Sequence, residues 1–121
     1  MKPTHPPIQG RKVRFALAGC GRIAKNHFES IKKLADDAEL VDVCDTDPAA
    51  LQAAVAQTGA RGHADFASML AATEADCVVL TTPSGLHPRQ CIDAARAGFH
   101  VMTEKPMATR WQEGLDMVRA C

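Results

Sequence analysis

Short apolar runs alternate along this chain with longer stretches whose apolar residues recur at helical spacing. The runs Val13–Ala18, Leu40–Cys44, Cys77–Thr81 and His100–Thr103 are brief and mostly rich in Val, as buried strands are. A shorter piece at Arg61–His63 is an uncertain further strand, so five or six are expected. The stretches between have helix punctuation. Asp47-Pro48 reads as an N-cap followed by proline at the first helical position, with Gly59 closing that helix. Asp65 is placed to cap a shorter helix through Ala71, and His87-Pro88 opens another that ends at Gly98. Thr109 with Gln112 three residues later has the spacing of a capping box for a last helix. Residues 1 to about 11, with three prolines and Gly10, read as a mobile lead-in.

Strands alternating with helices make βαβ units with right-handed crossovers. The expected fold class is therefore α/β: a doubly wound, Rossmann-type parallel sheet with helices on both faces, spanning residues 12–121. The last helix runs to Cys121 without a stop signal. A doubly wound nucleotide domain that ends there lacks a substrate module, so the expectation is a fragment of a longer two-domain enzyme. Its apolar strip, bare of a second domain, is expected to favour self-association. Trp111, Leu115, Met117 and Val118 read as helix packing.

Composition narrows the chemistry. The 121 residues carry a formal net charge of zero, so no basic field points to nucleic acid or an anionic membrane. No run approaches membrane-spanning length, and prolines interrupt the N-terminus where a leader would need an apolar stretch. The five cysteines are scattered and form no C-x-x-C pair, which argues against a zinc site or a disulfide framework. A soluble, cytoplasmic protein with no metal is expected.

Four segments carry candidate chemistry. Gly19-Cys20-Gly21-Arg22-Ile23-Ala24 is G-x-G-x-x-A directly after a strand and opening a helix. Gly19 suits the tight turn and Gly21 a close approach of pyrophosphate. Ala24 suits helix–strand contact, with the amides of Arg22 and Ile23 facing phosphate. Asp45 follows Gly19 by 26 positions, near the spacing of a ribose-binding acid, and a carboxylate there favours NAD over NADP. Its other reading is a plain turn residue, although Asp47 fits that role better. The loop Thr82-Pro83-Ser84-Gly85-Leu86-His87 leaves the carboxyl end of a strand, where such sheets bind ligands. His87 either touches the cofactor or merely opens the next helix. Thr103-Glu104-Lys105-Pro106 places two opposite charges after another strand. Beside a nicotinamide ring, Lys105 would be partly desolvated and fit for acid/base work; otherwise the segment is a surface turn. His5, His63 and His100 lack metal-ligand spacing.

Taken in order, the glycine loop, ribose acid, T-P-x-x-x-H loop and E-K-P resemble the glucose–fructose oxidoreductase/inositol dehydrogenase/rhizopine catabolism family. The resemblance extends from Val13 to Cys121. It implies an NAD-dependent sugar oxidoreductase in which Lys105 is a catalytic acid/base. Glu104 then helps hold the nicotinamide end, and Thr82, Pro83 and His87 line the cofactor. It also implies a C-terminal α/β domain that supplies a second acid/base and supports homo-oligomers. Segments Gly19–His27, Thr81–Pro88 and Val101–Thr109 look like the branch that oxidises the 3-hydroxyl of UDP-N-acetylglucosaminuronic acid in lipopolysaccharide sugar synthesis. Its substrate would be a sugar nucleotide. A polyol dehydrogenase of the inositol type and a non-catalytic NAD-sensing regulator are the alternatives.

Overall fold

A computed structural model describes residues 5–121. Five strands, β1 (Val13–Ala18), β2 (Ala38–Cys44), β3 (Arg61–His63), β4 (Cys77–Leu80) and β5 (His100–Thr103), form one parallel sheet in the order β3-β2-β1-β4-β5. Helices α1 (Ala24–Lys33), α2 (Pro48–Thr58), α3 (Phe66–Ala72), α4 (His87–Arg96) and α5 (Trp111–Ala120) make the crossovers and the chain's last element. A single 3₁₀ turn, Ser84–Leu86, leads into α4.

Alternation along the strands divides the core into two layers, because successive side chains point to opposite faces. Leu17, Val43 and Val79 face one way and pack with Ala24 and Phe28 of α1 and Ala54 of α2. Ala16, Ala18, Cys44, Val78 and Leu80 face the other way, onto Met69 of α3, Cys91 and Ala94 of α4, and Met117 of α5. Burying a Leu or Val fully contributes about 1.5–3 kcal/mol each, so the two layers carry the fold. The doubly wound expectation is met, with five strands among the described residues.

Helix ends follow the sequence with one exception. The Asp47 carboxylate accepts from the Ala49 amide at 3.1 Å, Pro48 starts α2, and Gly59 ends it at φ +73°. Asp65 caps α3 through the Ser68 amide at 2.7 Å. The expected capping box at Thr109 does not form. α5 starts at Trp111, its N-cap is Arg110 with no side-chain bond, and Gln112 instead donates along the helix to Asp116 at 2.9 Å.

A further expectation is corrected. Met117 is buried in the core, but Trp111 is 81% exposed and Val118 64% exposed. From residue 5 to residue 11 the lead-in forms no helix or strand and makes two contacts with the rest of the chain. Arg11 makes a two-pronged pair with Asp76 (2.8 Å for each prong), and the His5 ring meets His100 edge-on at 5.0 Å. Residues 1–4 of that lead-in lie outside the described part.

Strand order reverses at β1, whose neighbours β2 and β4 lead away in opposite directions. The crevice beyond the carboxyl ends of β1 and β4 is therefore the place where this topology binds ligands.

Candidate active site

The glycine loop is shaped by its contact with β4. Gly19 takes φ +92°, and a β-carbon on it would lie 2.7 Å from backbone atoms of Thr81 and Thr82. The Thr81 hydroxyl donates to the carbonyls of Ala18 (2.9 Å) and Gly19 (2.6 Å), which locks the turn from beneath. Gly21 is the opposite case, since a β-carbon there would meet nothing within 4 Å. Gly21, Arg22 and Ile23 are exposed, α1 begins without a side-chain cap, and Ala24 is fully buried. Free amides at an uncapped helix start, with open space over Gly21, fit a diphosphate.

Asp45 emerges from β2 beside this loop. One carboxylate oxygen accepts from the Cys20 amide and the other from the Asp47 amide, both at 2.8 Å. Asp47 is the turn-and-cap residue, as its contact with Ala49 shows, so Asp45 holds the glycine loop to the end of β2. Each of its oxygens retains a lone pair for a ribose hydroxyl. The Cys20 thiol behind it is buried, and burial together with the Asp45 charge pushes it up to about 11, far from a reactive thiolate.

On the other side of the crevice the T-P-S-G-L-H segment is braced from within. The Thr82 hydroxyl donates to Gln90 Oε1 of α4 at 2.5 Å, and Pro83 is exposed toward solvent. His87 opens α4 and is 1% exposed, with Nε2 2.8 Å from the Thr82 carbonyl and Nδ1 3.0 Å from that of Pro106. His87 is the first residue of α4, as one of its two readings has it. The ring lies between the β4 loop and the E-K-P loop, and its single N–H donates to one of these two backbone carbonyls.

The E-K-P segment is anchored by the Glu104 amide, which donates to the Leu80 carbonyl at 2.9 Å. Glu104 Oε1 accepts from Nε2 of His27 on α1 at 2.7 Å, and Oε2 from the Lys105 amide at 3.2 Å. The His27 bond, then the Lys105 amide, hold the Glu104 carboxyl below its ordinary value. Lys105 itself is exposed at the mouth of the crevice. His27 was not singled out as a site residue from sequence. It lies 77 positions from its partner, and no local pattern pairs them.

A second polar cluster lies away from this crevice. Asp42 in β2 is 2% exposed and accepts from Arg61 Nε (2.8 Å), His63 Nε2 (2.7 Å) and Thr73 Oγ1 (2.6 Å). Among the described residues no group of three or more His, Cys, Asp or Glu side chains is arranged to hold a metal ion. None of the described helices is long and apolar enough to cross a membrane.

Residues 13–121 match the model of the glucose–fructose oxidoreductase/inositol dehydrogenase/rhizopine catabolism group, described as an oxidoreductase family with an NAD-binding Rossmann fold. The chain belongs to this family. Among solved structures, the WlbA dehydrogenase of Chromobacterium violaceum, in complex with NADH and UDP-GlcNAcA, is 69% identical. Its TM-score is 0.95 over 97% of this chain and 34% of that one. The WlbA dehydrogenase of Bordetella pertussis, with the same two ligands, is 60% identical, with a TM-score of 0.94 over 95% of this chain and 34% of that one. The inositol 2-dehydrogenase of Rhizobium meliloti is 38% identical over 109 residues, 90% of this chain and 31% of that protein. This chain thus spans about a third of the length of these relatives.

Proposed function

We propose that residues 12–121 are the nucleotide-binding part of an NAD-dependent sugar-nucleotide dehydrogenase. In this reading the enzyme oxidises the 3-hydroxyl of a UDP-N-acetylglucosaminuronic acid for lipopolysaccharide sugar synthesis. The observation that carries this reading is the 69% identity, across 97% of the chain, with a dehydrogenase that holds NADH and UDP-GlcNAcA. The geometry supports it. The amides of Gly21, Arg22 and Ile23 receive the diphosphate at the start of α1. Asp45 accepts from the adenosine ribose hydroxyls and disfavours a 2′-phosphate. Thr82 and Pro83 line the cofactor, His87 fixes their loop from behind, and Glu104 faces the nicotinamide end.

When bound, the nicotinamide would supply the hydride acceptor for the carbon that bears the alcohol. Lys105, at the mouth of the crevice, takes the hydroxyl proton as the carbonyl forms. A second acid/base and the groups that read the sugar belong to the substrate-binding domain of the whole enzyme, which works as a cytoplasmic homo-oligomer. The 121-residue chain alone binds NAD weakly and does not turn over, because its nicotinamide side is open to water.

The test has two stages. Equilibrium titration of the chain should give binding of NAD at millimolar concentration or better, and weaker binding of NADP. NADH production by the whole enzyme should then be scored with UDP-GlcNAcA and with free myo-inositol. Activity on the sugar nucleotide alone supports the reading. Preference for inositol would favour the polyol branch, which is represented among the relatives by inositol 2-dehydrogenases. The absence of turnover on any alcohol, with NAD still bound, would favour a cofactor sensor.

A further inference from the structure

His27 and Glu104 come from different elements, α1 and the segment after β5, 77 positions apart. Glu104 follows β5, and its amide is pinned to the Leu80 carbonyl at 2.9 Å, so its backbone position is set by the sheet. Its side chain has three rotatable bonds, and its own segment holds it through the Lys105 amide at 3.2 Å, a longer contact than the one His27 makes. The shorter of its two bonds comes from α1, the helix whose first residues meet the phosphates in the reading above. His27 lies one turn into that helix, just past the buried Ala24, and reaches across at 2.7 Å. Both side chains are about a quarter exposed, which places the pair at the crevice wall, neither in the core nor free in solvent. The second carboxylate oxygen takes the Lys105 amide at 3.2 Å, so the orientation of Glu104 also fixes the backbone from which Lys105 projects.

We propose that His27 is a positioning residue for the nicotinamide end of the cofactor. Through Glu104 it holds the carboxylate and the Lys105 backbone in the geometry the ring needs, while making no contact with the adenosine half. This rests on the crevice being an NAD site with Glu104 at the nicotinamide end. Without the imidazole, the Glu104 carboxylate would sample several rotamers, and binding of the ring would have to order it again. Gln at position 27 keeps an N–H donor at comparable reach, whereas Ala keeps none.

The probes are NAD and ADP-ribose, which shares everything with NAD except the nicotinamide ring. Both are titrated against the unaltered chain, His27→Ala and His27→Gln, with thermal melting as the control for folding. The expected result is a loss of about three- to tenfold in NAD affinity for His27→Ala, the worth of one hydrogen bond. ADP-ribose affinity should stay within about twofold, and His27→Gln should recover most of the NAD loss. In a Glu104→Ala background, His27→Ala should have no further effect on NAD. Equal losses on both ligands, no loss on NAD, or an undiminished effect without Glu104 would each overturn the inference and leave the NAD site standing. Failure of the unaltered chain to bind either ligand would overturn the NAD reading, and the inference with it.

Discussion

A β-carbon on Gly19 would sit 2.7 Å from the carbonyl carbon and oxygen of Thr81, closer than packed atoms approach. The glycine loop therefore rests directly on the end of β4, and the two glycines of the motif answer to different demands. Gly19→Ala meets both this overlap and a left-handed φ of +92°, so it should cost more than about 1 kcal/mol of stability and lower Tm clearly. Gly21→Ala fills open space and should leave Tm nearly unchanged while weakening NAD binding. Thermal melts and NAD titrations on the two variants check the contrast.

Lys105 is expected to act in chemistry rather than in binding. In the whole enzyme, Lys105→Met should lower kcat by about 10²- to 10⁴-fold, the usual contribution of a general acid or base, with little change in NAD affinity. Turnover near normal in that variant would remove Lys105 from the mechanism.

Asp42 is a stability element. Burial acts to raise its carboxyl, but the hydrogen bonds from Arg61, Thr73 and His63 outweigh it and hold the group below its ordinary value. Asp42→Ala leaves those three donors without their acceptor and should cost about 2–4 kcal/mol in urea unfolding. NAD affinity measured on the folded fraction should change little, since the cluster lies away from the crevice.

Asp76 gives a pH signature. The Arg11 guanidinium, aided by the Arg14 amide and charge and opposed by partial burial, lowers its carboxyl to about 2. A carboxyl lowered on folding adds stability that is fully present above the unfolded-state value and is lost as pH falls through the folded one. The contribution, about 1 kcal/mol because Arg11 is largely in solvent, should hold above pH ~4 and fade between ~4 and ~2. Urea midpoints of Asp76→Asn and the unaltered protein should therefore differ at pH 7 and converge near pH 2.

Much of the fold was legible because it rests on local signals. The run Val13–Ala18 is β1 to the residue, and Asp47, Pro48 and Gly59 mark the ends of α2 through their own backbone chemistry. β2 starts at Ala38 rather than Leu40, because Ala38 and Glu39 pair with Val13 and Arg14 although an exposed Glu hides the strand pattern. β4 stops at Leu80, yet the Thr81 amide still bonds the Ala18 carbonyl at 2.9 Å, so the expected end at Thr81 reflects a real contact. Thr109 and Gln112 have capping-box spacing, but the helix starts one residue too late for Thr109 to serve. Periodicity also cannot tell which apolar side of a helix is covered, hence the exposure of Trp111. In the proposed site, Gly19, Asp45 and Lys105 are the residues that spacing or motif singles out. His27 and the brace at His87 depend on contacts between distant segments, which only the folded chain reveals.

If Asp45 reads the ribose as proposed, its bond from the Cys20 amide makes cofactor preference hard to rewrite one residue at a time. Exchanging Asp45 for a small or basic residue would make room for a 2′-phosphate, but it would also orphan an amide in the turn that shapes the diphosphate subsite. A variant made to accept NADP needs a replacement acceptor for that amide, such as a serine hydroxyl, as much as it needs positive charge. On the proposed reading, ribose selectivity and phosphate-loop shape are coupled through this one bond and have to be redesigned together.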